Sequence, residues 1–296
     1  MIVRSIMVCI SIFASFCVAK GQAMYDAEDL MNKYALPVLW VGVNSAADDY
    51  APSFDPVHGR LCFSSERTEW ATVYSCDPPR ALDVYVDVVP VAGTFNQIGQ
   101  HRAFVSFADN GEGVGAAFLM HSRRSYMGIV NILRDGGQVN CGRALDVCNG
   151  EFFSSHPAIS PDGTRLVFSS DRGVSRGLDL WMSERTVDRD WTEPVLVNNV
   201  VNSEGNEITP VFLSNDSLLY ASNGYGGKGG YDIFLSVFRD GMWQEPEPLE
   251  WLNSEFDDSD CARLPDGTIV FASNRPGGTG GLDLYVSRRR VQAARQ

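Results

Sequence analysis

The chain has 296 residues, with 24 lysines and arginines against 37 aspartates and glutamates, for a formal net charge of −13. That balance disfavours nucleic acid and anionic membrane surfaces as partners, since both are bound through positive charge. With 44% apolar residues over this length the chain can bury a core without disulfide staples.

At the N-terminus Arg4 precedes an apolar run from Ile6 to Ala19, followed by Lys20-Gly21-Gln22-Ala23. A basic start, a short apolar middle and small residues at its end read as a secretory signal over residues 1–23. The run is shorter than the ~20 residues a membrane span needs, and no later stretch predicts one. Removing it takes Arg4 and Lys20 and no acid, so the mature chain is more acidic still. It also leaves five cysteines, Cys62, Cys76, Cys141, Cys148 and Cys261, an odd number that argues against a disulfide framework. Cys62 with Cys76 across a hairpin, and Cys141 with Cys148 around a small loop, are the pairings that spacing would permit. Residues 24–33 form an N-terminal extension, read as a short helix or cap.

From there one unit repeats five times. Asn44, Asn96, Asn149, Asn202 and Asn253 recur at intervals of 51 to 53 residues. Eight residues past each stands Pro52, Phe104, Pro157, Pro210 or Cys261. The third copy continues SPDGTRLVFSSDR (Ser160–Arg172) and GLDLWMSE (Gly177–Glu184). The fourth gives LSNDSLLYASNG (Leu213–Gly224) and GYDIFLSV (Gly230–Val237). The fifth gives LPDGTIVFASNR (Leu264–Arg275) and GLDLYVSR (Gly281–Arg288). The first is looser, and the second departs most, with an insertion near Asn110–Gly115 and then FLMHSRR (Phe118–Arg124).

Each copy reads as four strands. The first lies around the +8 position. A D-G or N-D turn follows, because those residues tolerate positive φ. LVFSS, LLYAS and IVFAS are β-branched and aromatic second strands, and DLWMS, DIFLS and DLYVS are third strands. Proline-containing segments after Trp191 and Trp243 suit an outer strand with a free edge. Four antiparallel strands per ~52 residues predict one propeller blade. The fifth copy stops after its third strand, while Tyr34-Ala-Leu-Pro-Val-Leu-Trp40 stands before Asn44 as Trp243 stands before Asn253. The prediction is an all-β, five-bladed β-propeller over residues 34–290, closed by an N-terminal strand that completes the last blade, with a basic tail at 291–296. Pairing the two ends removes exposed strand edges.

The His156–Arg172 pattern, with its SPDG turn and FSSDR strand end, resembles the PD40 (WD40-like β-propeller) repeat family. That family is similar to the Tol–Pal periplasmic propeller and to the propeller part of OmpA-family envelope proteins. The resemblance implies an exported chain, periplasmic, outer-membrane-associated or secreted, that docks an envelope protein partner.

The asparagine register also places a candidate rim at one mouth of the central channel. At +5 stand Asp49, His101, Ser154, Glu207 and Asp258, and at +7 Ala51, Ala103, His156, Thr209 and Asp260. Asp49, His101, His156, Glu207, Asp258 and Asp260 would make an acidic, imidazole-containing ring suited to a cation or a basic side chain. The plainer reading is that each bonds backbone of a neighbouring blade. Paired rim carboxylates are also the groups that cleave a glycosidic bond, although no family signature for that surrounds Asp49, Glu207 or Asp258. Trp70, Tyr126 and Tyr225 lie near loops where a ring could stack on a sugar or plug the loop. Asp179, Asp232 and Asp283, with Arg67, Arg172 and Arg275, are expected to tie the second and third strands by charge-assisted bonds. Two glycine-rich stretches, Gly226–Asp232 and Gly277–Asp283, are similar to the calcium-binding G-G-x-G-x-D repeat but are not tandem, and read as loops. No G-x-S-x-G elbow or metal-type histidine spacing is present. The sequence therefore predicts a non-catalytic envelope-binding scaffold without metal or cofactor; the alternative is a carbohydrate-binding or glycoside-cleaving propeller.

Overall fold

Strand two of each repeat is a run of alternating side chains, both faces of which find apolar neighbours, and this decides the architecture. The computed structural model describes residues 27–121, 124–173 and 177–290; the predicted signal at 1–23 and the tail at 291–296 lie outside them. Five separate antiparallel sheets form the blades. Blade one comprises Asp49–Asp55, Arg60–Ser65, Thr72–Cys76 and Val89–Pro90. Blade two comprises Arg102–Phe107, Gly113–His121, Arg124–Asp135 and Gln138–Ala144. Blade three comprises Ser154–Ile159, Arg165–Ser170, Asp179–Glu184 and Val195–Leu196. In blade four Glu207–Ser214, Ser217–Ser222 and Asp232–Arg239 carry a broken outer strand, Met242–Trp243 and Glu247–Pro248. Blade five takes Asp258–Arg263, Ile269–Ser273 and Asp283–Ser287 from the C-terminal end and Val38–Leu39 from the N-terminal end.

That last pairing closes the ring, with Val38 opposite Val286 and Leu39 opposite Tyr285. The first strand of every blade packs on the first strand of the next, and blade five packs on blade one. A short helix, Ala27–Lys33, precedes the closing strand. Its Leu30 and the following Tyr34 are buried against the interface between blades four and five.

The core is divided into five parts, one at each blade interface. Between blades one and two Cys62 and Val73 meet Val105, Ala117 and Val130. Between three and four Val167 and Leu180 meet Leu218, Tyr220 and Phe234. Because side chains alternate along a strand, Leu166 and Phe168 face blade two while Val167 faces blade four. Both faces of a blade are thus buried, which explains why the second strands carry no polar side.

The recurring asparagines fasten one blade to the next. Each accepts from the backbone N–H of a third-strand residue in the preceding blade: Leu284 to Asn44 (2.8 Å), Val73 to Asn96 (3.0 Å), Ile129 to Asn149 (2.7 Å), Leu180 to Asn202 (2.7 Å) and Ile233 to Asn253 (2.8 Å). Each amide N–H₂ donates back to the carbonyl of the same residue. An amide side chain can satisfy both backbone groups at once, which is why asparagine stands at this place in all five copies.

Blade two is the most divergent, as the sequence reading has it: Phe118–His121 ends its second strand, and the third runs twelve residues from Arg124 to Asp135. All five cysteines among the described residues are free thiols. Cys62 stands opposite Ser75 and Cys76 opposite Leu61, so the two are diagonal neighbours in the sheet.

Candidate functional site

The first strands line the central channel, and each is bent at the same point. The pairing of strand one with strand two shifts register between Tyr50 and Ser53, Ala103 and Ser106, Ser155 and Ala158, Ile208 and Val211, and Ser259 and Ala262. At each bulge one residue has positive φ: Ala51 (50°), Phe104 (54°), His156 (52°), Thr209 (50°) and Asp260 (52°). A non-glycine residue in this region is uncommon, and five equivalent ones make the bulge a device of the fold. The bulge sets these five residues around the channel wall.

The strand pairing corrects the register of blade two. Arg102 pairs with Ala117 as Asp49 pairs with Ser65 and Asp258 with Ser273. One extra residue follows Asn96, so Arg102, not His101, starts the first strand, and Phe104, not Ala103, takes the bulge. His101 lies outside the channel lining: its Nδ1 accepts from the N–H of Ala71 (3.2 Å) and its ring packs on Trp70 at 5.2 Å.

Asp49, Glu207 and Asp258 start their strands fully buried and fully engaged. Asp49 accepts from Arg67 (2.7 Å) and Asp258 from Arg275 (2.5 Å). These arginines also donate to the carbonyls of Val43 and Leu252, and stack over Tyr74 and Phe271. The recurring arginine therefore binds the first strand, not the aspartate of the third as the sequence suggested. Asp232 and Asp283 instead accept from Gly229 and Gly280 of the glycine-rich loops. A Cβ at Gly227 or Gly278 would lie within 2 Å of those carboxylates (1.9 and 1.8 Å), so the loop closes only over glycine. Blade four has Gly224 where an arginine would stand, and Glu207 accepts instead from the hydroxyls of Ser203 (2.5 Å) and Ser222 (2.6 Å). Burial raises the pKa of Glu207.

His156 and Asp260 lie on the wall of a cavity of about 330 Å³ that runs along the channel. Phe54, Phe104, Phe107 and Phe212 supply much of the remaining lining. Asp260 is 7% exposed. Its Oδ2 accepts from Ser259 Oγ (2.7 Å), but its Oδ1 has no hydrogen-bond partner among the described residues. Burial raises its pKa to about 6. The Nδ1 of His156 is likewise without a partner among them, and burial in the wall lowers its pKa to about 4. The imidazole is therefore neutral at pH 7. Its ring meets Phe104 edge-on at 4.1 Å, and Phe104 meets Tyr50 at 5.5 Å. Asp260 and His156 both stand on the wall of an aromatic-lined cavity, and an unmet buried polar group is costly. Phe104 and Tyr50 did not stand out in the sequence; aligning blade two on its second strand, not on Asn96, would have exposed Phe104.

The loop aromatics differ among themselves. The hydroxyls of Tyr126 and Tyr225 donate to the carbonyls of Gly150 (3.1 Å) and Val200 (2.9 Å). Trp70 borders a separate groove of about 600 Å³ with Tyr74, Gln97 and Ile98. Among the described residues no group of three or more His, Cys, Asp or Glu side chains is arranged to hold a metal ion, and no helix is long and apolar enough to cross a membrane.

No family model matches the sequence, and no curated protein does. Solved structures do match the fold. A thermostable family-43 glycoside hydrolase superposes with TM-score 0.54 at 14% identity, covering 83% of this chain and 90% of the other. A GH62 hydrolase in complex with xylotriose gives TM-score 0.54 at 12% identity, over 86% and 96% of the two chains. A putative TolB from Agrobacterium tumefaciens gives 0.50 at 12% identity, over 88% and 99%. At these identities the likeness is one of fold. It corrects the expectation of a chain that catalyses nothing: the propeller closely matches in extent two glycoside hydrolases, so the missing sequence signatures were no argument against catalysis.

Proposed function

We propose that this chain is a carbohydrate-active propeller that seats a saccharide in its central channel, with Asp260 as the acid of the site. The observation that carries this is the buried Asp260 carboxyl, whose Oδ1 has no hydrogen-bond partner among the described residues, on the wall of an aromatic-lined cavity of about 330 Å³. A carboxyl held up at about pH 6 is a proton donor in mildly acidic solution, and protonation of the leaving oxygen is the acid's task in glycoside cleavage. His156, a neutral imidazole on the same wall, is placed to meet a sugar hydroxyl. The phenylalanine rings supply apolar faces for the C–H side of a pyranose or furanose. The glycoside-hydrolase neighbours support the reading through the fold they share with this chain.

The test is a panel of neutral pentose and hexose oligosaccharides, followed by calorimetry for binding and by release of reducing ends for cleavage. The parent is expected to bind or cleave a member, with release lost in Asp260→Asn. Equal turnover in that variant refutes the role of Asp260.

A second reading, docking of an envelope protein partner, is favoured by the SPDG and FSSDR motifs and by the fold shared with the putative TolB. A pull-down from solubilised envelope with residues 24–296 tests it, with capture of one defined protein as the expected result. Both readings take residues 1–23 as an export signal. N-terminal sequencing of the secreted chain checks that, and a mature start elsewhere than Met24 contradicts it.

A further inference from the structure

Resting on the saccharide reading, we infer that the channel is a blind pocket that takes only the terminal unit of a saccharide chain. The first strands run from the inter-blade loops toward the turn before strand two, so the channel has an end at each. Of the residues lining the cavity, only Asp109 and Pro265 are exposed, and both lie beyond the C-terminal ends of their first strands. The cavity therefore opens at the turn end.

The opposite end is filled by the bulge residues and their neighbours. Tyr50 of blade one packs on Phe104 of blade two, and Phe104 on His156 of blade three. Across the remaining arc the backbone N–H of Asp260 donates to Thr209 Oγ1 (3.2 Å). Ala51, Thr209 and Asp260 are 8%, 6% and 7% exposed, and Tyr50, Phe104 and His156 are half-buried. Asp260 thus sits at the closed end of a cavity whose volume is at the low limit of small-molecule sites, about 300–1,000 Å³. A chain cannot thread past it. A ligand must enter by one end, and the group that meets Asp260 and His156 is its last ring. This predicts action on chain ends and not on internal linkages.

The experiment uses linear pentose and hexose oligosaccharides of graded length, either free or carrying a bulky aromatic cap at the non-reducing end, the reducing end or both. Binding to the full mature chain is read by calorimetry. The prediction is affinity that stops rising after the first one or two units, and a loss of ~100-fold or more when the inserted end is capped, as expected for a group forced against a packed wall. Phe104→Gly opens the closed end, and glycine adopts the +54° φ without strain. Its unfolding temperature shows that the blade is intact. In that variant the cap penalty should fall by ~10-fold or more. Chains capped at both ends that bind the parent as tightly as free ones overturn the blind pocket while leaving the saccharide reading standing. A panel in which nothing binds the parent overturns both.

Discussion

Replacing Asn202 by alanine tests the blade-fastening role directly. The side chain is 8% exposed and makes three hydrogen bonds: it accepts from Leu180 N–H (2.7 Å) and donates to Leu180 O (3.1 Å) and Asn198 O (3.2 Å). The three losses are unequal. Leu180 O keeps a bond from the N–H of Val197 (3.0 Å), whereas Leu180 N–H, on a residue with 0% exposure, is left without one. An orphaned buried donor costs ~1–3 kcal/mol and the other lost bonds contribute ~1 kcal/mol between them, so the expected destabilisation is about 2–4 kcal/mol. For a chain of this size that lowers Tm by roughly 5–12 °C. Thermal and urea unfolding measure it, and Asn149→Ala, which frees the equally buried Ile129 N–H, should behave alike. A loss below ~0.5 kcal/mol with an unchanged urea slope would show that the asparagines do not fasten the blades.

Three further outcomes are expected. Asp260 has its pKa raised, so it contributes stability while protonated and loses it as pH rises from about 4 through about 6; the loss is bounded at about 3 kcal/mol. Asp260→Asn should therefore gain Tm over the parent between pH 4 and 6.5, and a pH-independent difference would contradict the burial of a free carboxyl. Arg275→Met leaves Asp258 buried with only its Ser254 contacts, and should cost roughly 3 kcal/mol in chemical denaturation. The double variant with Asp258→Asn should recover much of it, and no recovery would mean that the arginine acts through packing alone. Finally, Cys62, Cys76, Cys148 and Cys261 are buried, and Cys141 alone is half-buried. Burial holds the thiols of Cys62, Cys76 and Cys148 up at about pKa 12. In the mature chain, residues 24–296, a thiol reagent should titrate one cysteine when folded and five after unfolding; fewer than five unfolded thiols would reveal a disulfide.

The fold was legible because its determinants are local and repeated. The apolar second strands and the tight turns are visible within a copy, the asparagine period appears across the five, and closure could be read from Tyr34–Trp40 matching the missing strand. The site was legible only in part. His156 and Asp260 fall on the channel because their copies keep the common spacing. Counting from Asn96 misplaces blade two, since one extra residue before Arg102 shifts every later position. Asp49, Glu207 and Asp258 looked like a free acidic rim because their partners, Arg67, Ser203, Ser222 and Arg275, lie up to 18 residues away along the chain. Hydrogen-bond satisfaction depends on side-chain geometry that residue spacing does not encode. The closed end of the channel is less legible still, because Tyr50, Phe104 and His156 come from three blades.

On the saccharide reading, a sugar ring occupies the channel beside Asp260. A crystal structure of the mature chain with the tightest-binding oligosaccharide of the panel tests it most directly. One terminal ring is expected in the channel, with an oxygen within hydrogen-bond distance of the Asp260 carboxyl and another near the His156 imidazole. Sugar density confined to the Trp70 groove or to the outer strands, over an empty channel, would contradict it.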